Sequence, residues 1–314
     1  MMPLRLARWS GLALALALMV AAPLVIGGYW LRILTSIYMY AVVAQGLNVI
    51  VGFAGYHAFG NVVFFGLGAY IVGVAVTLGA PLALAIVLAP IGAMLAAAVL
   101  GWPLLRLKGH YFAIATVALN LAMNDLIINV GGVTGGAEGL PMPLGTLAPE
   151  ALNELVYFLM LGAMVASALI VLWLSRSPLG YALRALKDSA LGAEVMGINT
   201  TLAKTLAWAL SAGMTGTVGG IWGYWINFLE PGSAFDIGIS VNGYIMMLVG
   251  GMGTVLGPVI GAFFLETVST IIWGEFIKVH LLILGLLIIL VVMLLPEGLL
   301  FHFRRLVPRR KAAP

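Results

Sequence analysis

Apolar stretches of about 20 residues recur along this chain from Ser10 to Leu300. A helix of that length crosses a hydrocarbon core roughly 30 Å thick, so each stretch is long enough to span a membrane. Hydrophobic residues make up 63% of the sequence and charged residues 8%, whereas an ordinary soluble domain has about 45–50% and about 25%. The period-two alternation of membrane-spanning strands is missing. The sequence therefore predicts an integral membrane protein built from helices.

We expect an all-α, polytopic transmembrane helix bundle with about ten membrane segments, forming a single transmembrane domain over residues 1–314. The predicted spans are 10–28, 33–51, 58–78, 82–104, 111–130, 152–174, 204–226, 237–255, 258–275 and 279–300. The Gly-rich stretches 52–80 and 238–261 are the places where a short or re-entrant helix would change the count. The first span resembles a signal peptide, but we interpret it as an uncleaved helix because many spans follow.

The distribution of positive charge predicts the orientation of the chain. If both termini are cytoplasmic, all but Arg32 and Lys278 of the 15 Lys and Arg residues lie on the inner side, including Arg5 and Arg8. The tail 301–314 carries five basic residues between 304 and 311, and we expect it to anchor at anionic lipid headgroups. Membrane lipid therefore explains the net charge of +4 better than nucleic acid does.

One predicted inner connection, residues 175–204, carries its own helix signals. Ser177 followed by Pro178 is typical of a helix start, because Ser caps free backbone N–H groups and Pro suits the first helical position. Leucines at 179, 183 and 186 then follow at spacings of four and three. This pattern predicts an amphipathic helix whose apolar face lies opposite Arg184 and Lys187.

A second short helix is predicted after Asp188. It has Leu191, Val195 and Ile198 on one side and ends near Gly197, where glycine can adopt the left-handed conformation that closes a helix. Two such helices either dock on another protein or lie in the headgroup layer, and the residues alone leave both interpretations open. The Gly- and Pro-rich outer connection 131–149 is predicted to be a cap or a plain connector.

Polar residues inside the predicted spans are costly and must face protein, water or a span end. Asp125 and Glu266 are the acids that lie most clearly within spans. Asn120 and Asn124 are four residues apart and share a helical face, with Asp125 adjacent. These side chains either line a hydrated path or form hydrogen bonds between helices.

Motifs for catalysis are missing from the sequence. It contains no phosphate-binding Gly-x-x-x-x-Gly-Lys-Ser/Thr loop, no Gly-x-Ser-x-Gly and no cysteine, and its four histidines are scattered without metal-ligand spacing. We therefore expect no enzyme and no metal site. Two other functions would use the intramembrane carboxylates of Asp125 or Glu266. One is that of a self-sufficient secondary transporter or channel, and the other is that of an intramembrane enzyme.

Five sequence segments in this order point to a known family. They are FFGLGAY at 64–70, LKGHYFAIATVAL at 107–119, TGGAEGL at 134–140, SPLGYALRALKDSALGAEVMGIN at 177–199 and LVGGMGTVLGPVIGAFFLE at 248–266. Over roughly 35–300 the chain resembles the LivM-type permease subunits of bacterial ATP-driven importers of branched-chain amino acids and related solutes.

The resemblance implies a division of labour in the bacterial inner membrane. Two permease chains, this one and a LivH-like one, pair with two cytoplasmic ATP-binding subunits and a periplasmic solute-binding protein. ATP and Mg²⁺ are expected on the ATPase subunits, and no cofactor is expected in this chain. Segment 177–199 corresponds to the part that docks in an ATPase groove, which implies coupling roles for Pro178, Leu179, Arg184, Ala185, Lys187, Asp188, Glu194 and Gly197.

One segment departs from the family pattern. Where many members have Gly-Leu-Leu-Ser-Leu-Gly-His, this chain has Gly55-Tyr56-His57-Ala58-Phe59-Gly60-Asn61. The substrate expected from the resemblance is a branched-chain amino acid, and other amino acids, urea or short amides are the alternatives. The candidate residues of the translocation path are His57, Asn61, Asn120, Asn124 and Asp125.

Overall fold

The computed structural model describes residues 11, 14–107, 109–143, 148–275, 282, 285–286, 289–290, 293 and 298–301. Its helices are α1 (Leu14–Leu24), α2 (Gly28–Leu47), α3 (Val62–Thr77), α4 (Leu82–Leu104), α5 (His110–Asn129), α6 (Gly131–Thr134), α7 (Pro149–Arg176), α8 (Pro178–Asp188), α9 (Ala190–Val195), α10 (Thr200–Ile226), α11 (Pro231–Ala234), α12 (Ile237–Gly250) and α13 (Gly257–Glu275). Two short strands, β1 (Leu140–Pro141) and β2 (Phe228–Leu229), pair antiparallel.

The all-α membrane bundle predicted from the sequence is confirmed. Within the described residues, six helical segments are long and apolar enough to cross a membrane. The predicted spans 82–104, 111–130 and 258–275 agree with α4, α5 and α13 to within one residue at each end. The last predicted span, 279–300, lies largely outside the described residues, as do the basic tail residues 304–311, Lys278, Arg5 and Arg8.

Helix α10 is the centre of the bundle and packs against α3, α4, α2 and α7. Its backbone lies very close to that of α3: a Cβ atom at Gly219 would collide with the carbonyl of Phe65, and one at Gly68 with the carbonyl of Gly216. Small residues allow membrane helices to approach in this way. Because most of α10 contacts protein instead of lipid, it accommodates buried polar residues such as Ser211 and Thr215.

Helix α2 forms the second buried element and contacts α7, α12 and α13. The Tyr38 hydroxyl lies 3.0 Å from that of Tyr157 on α7, and Tyr157 donates to the carbonyl of Met19 at 2.6 Å. These bonds connect α1, α2 and α7 within the apolar core.

Both Gly-rich stretches contain breaks. Helix α2 continues as a π-helical turn, Asn48–Phe53, and a connection at 54–58 then leads to a 3₁₀ turn, Phe59–Asn61, before α3. Helix α12 has 14 residues and, together with α11 before it, forms the 20-residue segment Pro231–Gly250, which is long enough to cross a membrane. It is followed by a break at residues 251–256, which separates it from α13.

The connection after α5, which the sequence predicts to lie on the outer side, is structured over its described part. Helix α6 leads to a 3₁₀ turn at Gly136–Glu138 and then to β1, and the Met142 N–H donates to the Asn227 carbonyl at 3.0 Å. Asn227 has a left-handed φ of 61°, which turns the chain from the end of α10 into β2. The loop therefore joins the ends of α5 and α10.

Candidate functional site

The first helix of the predicted coupling segment forms as its sequence indicates. Ser177 accepts a hydrogen bond from the Gly180 N–H at 3.2 Å, and Pro178 occupies the first turn of α8. Leu183 and Leu186 are buried against the bundle. Helix α7 runs to Arg176 and α10 begins at Thr200, so the connection between them consists of α8, α9 and residues 196–199.

The second helix, α9, ends as predicted at a glycine. Gly197 has a φ of 83°, its N–H donates to the Glu194 carbonyl at 2.9 Å, and the Ile198 N–H donates to the Ala193 carbonyl at 3.0 Å. This pair of bonds is the Schellman arrangement. Ser189 adds a cap that the sequence interpretation missed, accepting from the Gly192 N–H at 3.1 Å.

The apolar faces of the two helices have different environments. The leucines of α8 pack on the bundle, whereas Leu191 is 74% exposed, Val195 82% and Met196 80%. Tyr181 on α8 is also largely exposed. The connection therefore consists of a helix fixed to the bundle and a second helix that presents apolar side chains outward.

Arg184 is half-buried, and Lys187 is exposed but bonds back to the bundle, which corrects the prediction that both simply lie opposite the packed face. Lys187 Nζ donates to the carbonyl of Gly52, at the end of α2, over 2.9 Å. The Arg184 guanidinium lies 5.4 Å from the Phe53 ring centroid and donates to the Ser175 carbonyl at 2.8 Å. Both long side chains reach back to the bundle because the end of α2 offers carbonyl and aromatic partners there.

The remaining residues assigned to coupling have mixed positions. Glu194 accepts from the Thr200 hydroxyl at 2.8 Å, which joins α9 to the start of α10. Asp188 and Pro178 are exposed, and Leu179 and Ala185 are half-buried. Their contacts with an ATPase stay a prediction.

Two of the candidate path residues are buried at helix contacts. Asn61 donates to the Thr215 hydroxyl at 2.9 Å and accepts from that of Ser211 at 3.3 Å, so it connects the start of α3 with α10. Asn120 donates to the Phe235 carbonyl at 2.7 Å, while its Oδ1 atom is buried without a partner in the described structure. For Asn120, hydrogen bonding was one of the alternatives that the sequence left open, and its acceptor lies in the connection between α11 and α12.

The other candidates on α5 are more accessible. Asn124 is half-buried and Asp125 is exposed, one turn before the helix ends at Asn129. A carboxylate near the end of a membrane-spanning helix is less costly than one at its centre, because it can reach water. Glu266 on α13 is half-buried. The structure thus does not bring Asn61 together with Asp125 in one cluster, and whether these residues line a path stays a prediction.

His57 lies in the connection 54–58, which packs close to Lys187 of α8. Its Nδ1 atom is 2.8 Å from the Tyr244 hydroxyl of α12, and these two groups share a hydrogen bond. Partial desolvation, and then the neighbouring His110 and Lys187, lower the pKa of His57 from its ordinary value. His57 therefore favours the neutral form while it contacts α12.

Sequence reasoning missed the aromatic and basic packing around this connection. Lys204 on α10 is buried, with its Nζ 5.1 Å from the Tyr56 ring centroid, and Tyr56 meets Phe112 edge-on at 5.4 Å. Phe112 in turn packs edge-on against Trp208 at 5.4 Å. Helix spacing carries no signal for these contacts, because they join three segments distant in sequence.

The described residues contain no group of three or more His, Asp or Glu side chains that could hold a metal ion.

Comparison with known proteins identifies relatives over most of the chain. Residues 29–292 match the family described as branched-chain amino acid transport system / permease component. The chain is 29% identical over 317 residues to the high-affinity branched-chain amino acid transport system permease protein LivM of Escherichia coli, covering 91% of this chain and 73% of that protein. The corresponding LivM of Salmonella typhimurium is 28% identical over 320 residues, with the same coverage.

A further relative covers part of the chain. The autoinducer 2 import system permease protein LsrC of Salmonella typhi is 30% identical over 175 residues, 49% of this chain and 48% of that protein. No solved structure matches the chain significantly.

Proposed function

The chain belongs to the family of branched-chain amino acid transport system permease components, and from this premise we propose that it is the membrane-spanning permease subunit of an ATP-driven importer. In this proposal the chain forms part of the solute path, and separate cytoplasmic subunits bind and hydrolyse ATP. The solute is a branched-chain amino acid or a related small polar molecule. The import direction agrees with that of the relative LsrC, an import system permease protein.

The observation that carries the proposal is the apolar outer face of α9. Leu191, Val195 and Met196 are mostly exposed, while α8 is held to the bundle by buried leucines. Apolar side chains on a fixed short helix suit a groove in a partner protein. We propose that this face docks on an ATPase subunit and that α8 passes the resulting motion to the bundle.

The remaining partners follow from the same proposal. A second, LivH-like permease completes the membrane unit, two ATP-binding subunits bind at the cytoplasmic face, and a periplasmic solute-binding protein delivers the solute. The complex lies in the bacterial inner membrane with both termini of this chain in the cytoplasm. Of the path candidates, His57 and Asp125 are exposed, and Asn124 is half-buried with its Oδ1 atom buried and without a partner in the described structure. Asn61 and Asn120 support the helices around them.

The docking proposal is tested by removing the apolar side chains of α9. In the double variant Leu191→Ser, Val195→Ser, we expect at least a fivefold loss in recovery of ATP-binding subunits with the tagged chain from native membranes. ATP-dependent uptake of L-leucine should fall in parallel, since docking drives transport. Recovery is measured by quantitative mass spectrometry after mild-detergent purification.

The matched control is Val99→Ser on α4, where the valine is 73% exposed but lies outside the coupling helices. This variant should recover the ATP-binding subunits as the unmodified chain does. If the double variant recovered the ATP-binding subunits undiminished, the docking surface would not lie on α9. If the unmodified chain came out of crosslinked membranes without any ATP-binding subunit, the importer proposal itself would fail.

A further inference from the structure

We infer that Lys187 is a positioning residue that links the coupling helices, through the π-helical end of α2, to the break at residues 251–256 between α12 and α13. The inference rests on the proposed function, since it describes how a motion of α8 reaches the membrane helices. It assigns Lys187 to a contact inside this chain instead of a contact with an ATPase.

The first step is the contact between α8 and α2. The Lys187 ammonium donates to the Gly52 carbonyl at 2.9 Å, in the last turn of the helix. Carbonyl groups at a helix end carry partial negative charge and are stabilised by a cation. The stem of Lys187 also lies tightly against the chain after α2, because a Cβ atom at Gly55 would be 3.1 Å from Lys187 Cγ.

The second step is the contact between the same turn of α2 and the break at 251–256. Asn48, which is fully buried, donates to the Thr254 carbonyl at 2.8 Å and accepts from the Gly253 N–H at 2.7 Å. One turn earlier, Gln45 donates to the Val255 carbonyl at 2.6 Å. Three bonds therefore hold the break against α2.

Gly52 is where the two contacts meet. A Cβ atom there would collide with the Asn48 amide and approach the Gly253 nitrogen to 2.7 Å. The carbonyl of the same residue accepts the Lys187 bond. Displacement of Lys187 thus acts directly on a residue that packs against the break.

The two segments joined by these contacts, the π-helical turn at 48–53 and the break at 251–256, both have backbone conformations suited to change. Residues 48–53 are π-helical, a conformation rare in proteins and frequent at functional sites. In the break, Gly251 and Gly253 have positive φ values of 117° and 74°, and two helices meet there. A displacement of α8 therefore reaches, through Gly52 and Asn48, the break between α12 and α13, where the angle between these two helices can change.

The test measures ATP-driven motion at both ends in the full importer complex in lipid nanodiscs. This chain has no cysteine, so spin labels are introduced as the pairs Met196→Cys with Leu78→Cys and Met252→Cys with Leu78→Cys. Distances are compared without nucleotide and with ATP plus vanadate. In the unmodified background we expect both distances to change.

In Lys187→Met, the nucleotide-dependent change in the 196–78 distance should persist, because docking is intact. The change in the 252–78 distance should fall to less than half of its value in the unmodified background. Lys187→Arg should restore it, since a guanidinium also donates to the Gly52 carbonyl. Arg176→Met is the matched control: it removes a cation at the end of α7, for which the described structure shows no bond to α2, and should leave both changes as they are.

Two results would overturn the inference while leaving the importer proposal standing. One is an unchanged response at position 252 in Lys187→Met, and the other is no response at 252 in the unmodified complex when 196 moves. An absence of motion at 196 in the unmodified complex would instead count against ATP-driven coupling itself.

Discussion

Gly219 on α10 and Gly162 on α7 are the same residue type but have different structural roles. At Gly219 an added Cβ atom would collide with the Phe65 backbone of α3, whereas at Gly162, in the interior of α7, it would meet nothing within 4 Å. The first glycine is therefore required for helix packing. The second merely lowers the helix propensity of α7.

This difference predicts opposite effects of the same substitution. Gly219→Ala should destabilise the protein by about 1–3 kcal/mol, because a packed backbone must move apart. Gly162→Ala should be neutral or stabilise it by up to about 1 kcal/mol. Thermal unfolding of the two variants in one detergent checks the prediction, and equal melting temperatures would contradict the close packing of α3 on α10.

His57 provides a pH-dependent prediction at the same scale. Because its pKa in the folded protein is lowered from 6.5, the unfolded chain takes up a proton first as the pH falls. The stability that neutral His57 contributes is present above the unfolded pKa and is lost as the pH falls through the folded pKa. The effect is small, since His57 is exposed and water screens the neighbouring charges.

We therefore expect the melting temperature of the unmodified protein to fall more between about pH 7.5 and about pH 5 than that of His57→Gln. Glutamine retains a hydrogen-bonding group for Tyr244 but does not titrate. If the melting temperatures of the two proteins fell equally with pH, His57 would not contribute to the loss of stability in acid.

At the scale of single elements, α9 depends on the residue that closes it. Gly197 has a left-handed φ of 83° and its N–H bonds to Glu194. Proline fixes φ near −65° and has no N–H group, so Gly197→Pro should disrupt the end of α9 and the direction of the chain into α10.

For this variant we expect a loss of ATP-driven uptake and of ATPase recovery, with the chain still inserted in the membrane. Gly197→Asn is the control, because asparagine tolerates the left-handed conformation and should retain most activity. Uptake assays on membrane vesicles with matched amounts of protein compare the two. Full uptake with Gly197→Pro would mean that the geometry of α9 does not matter for coupling.

The whole molecule has a predicted orientation that labelling can measure. Met196 on α9 and Leu78 after α3 are 80% and 81% exposed and lie at opposite ends of the bundle's helices. Since the chain contains no cysteine, single cysteines at these positions report accessibility without background from this chain.

With cytoplasmic termini, a membrane-impermeant maleimide should label Leu78→Cys in intact spheroplasts and Met196→Cys only after permeabilisation. The positive-inside distribution of Lys and Arg is the physical reason. The reverse labelling pattern would mean that the topology is inverted and that α8 and α9 lie outside the cytoplasm.

The sequence determined those features of this protein that depend on neighbours along the chain. Apolar length predicted the membrane helices, with α4, α5 and α13 placed to within one residue. Ser177, Pro178 and Gly197 predicted the start of α8 and the end of α9, because capping needs only a few consecutive residues. Five sequence segments in one order along the chain indicated the family.

Only the tertiary structure decided which partners the polar and charged side chains have. Asn61 and Asn120 bond to α10 and to the Phe235 carbonyl, and Lys187 bonds to Gly52, 135 residues away in the sequence. The periodicity of α8 placed Lys187 on its outer face, because a helical pattern contains no information about a carbonyl at the end of α2. Long-range packing, which brings these segments together, decides between a solvent-facing charge and an internal link.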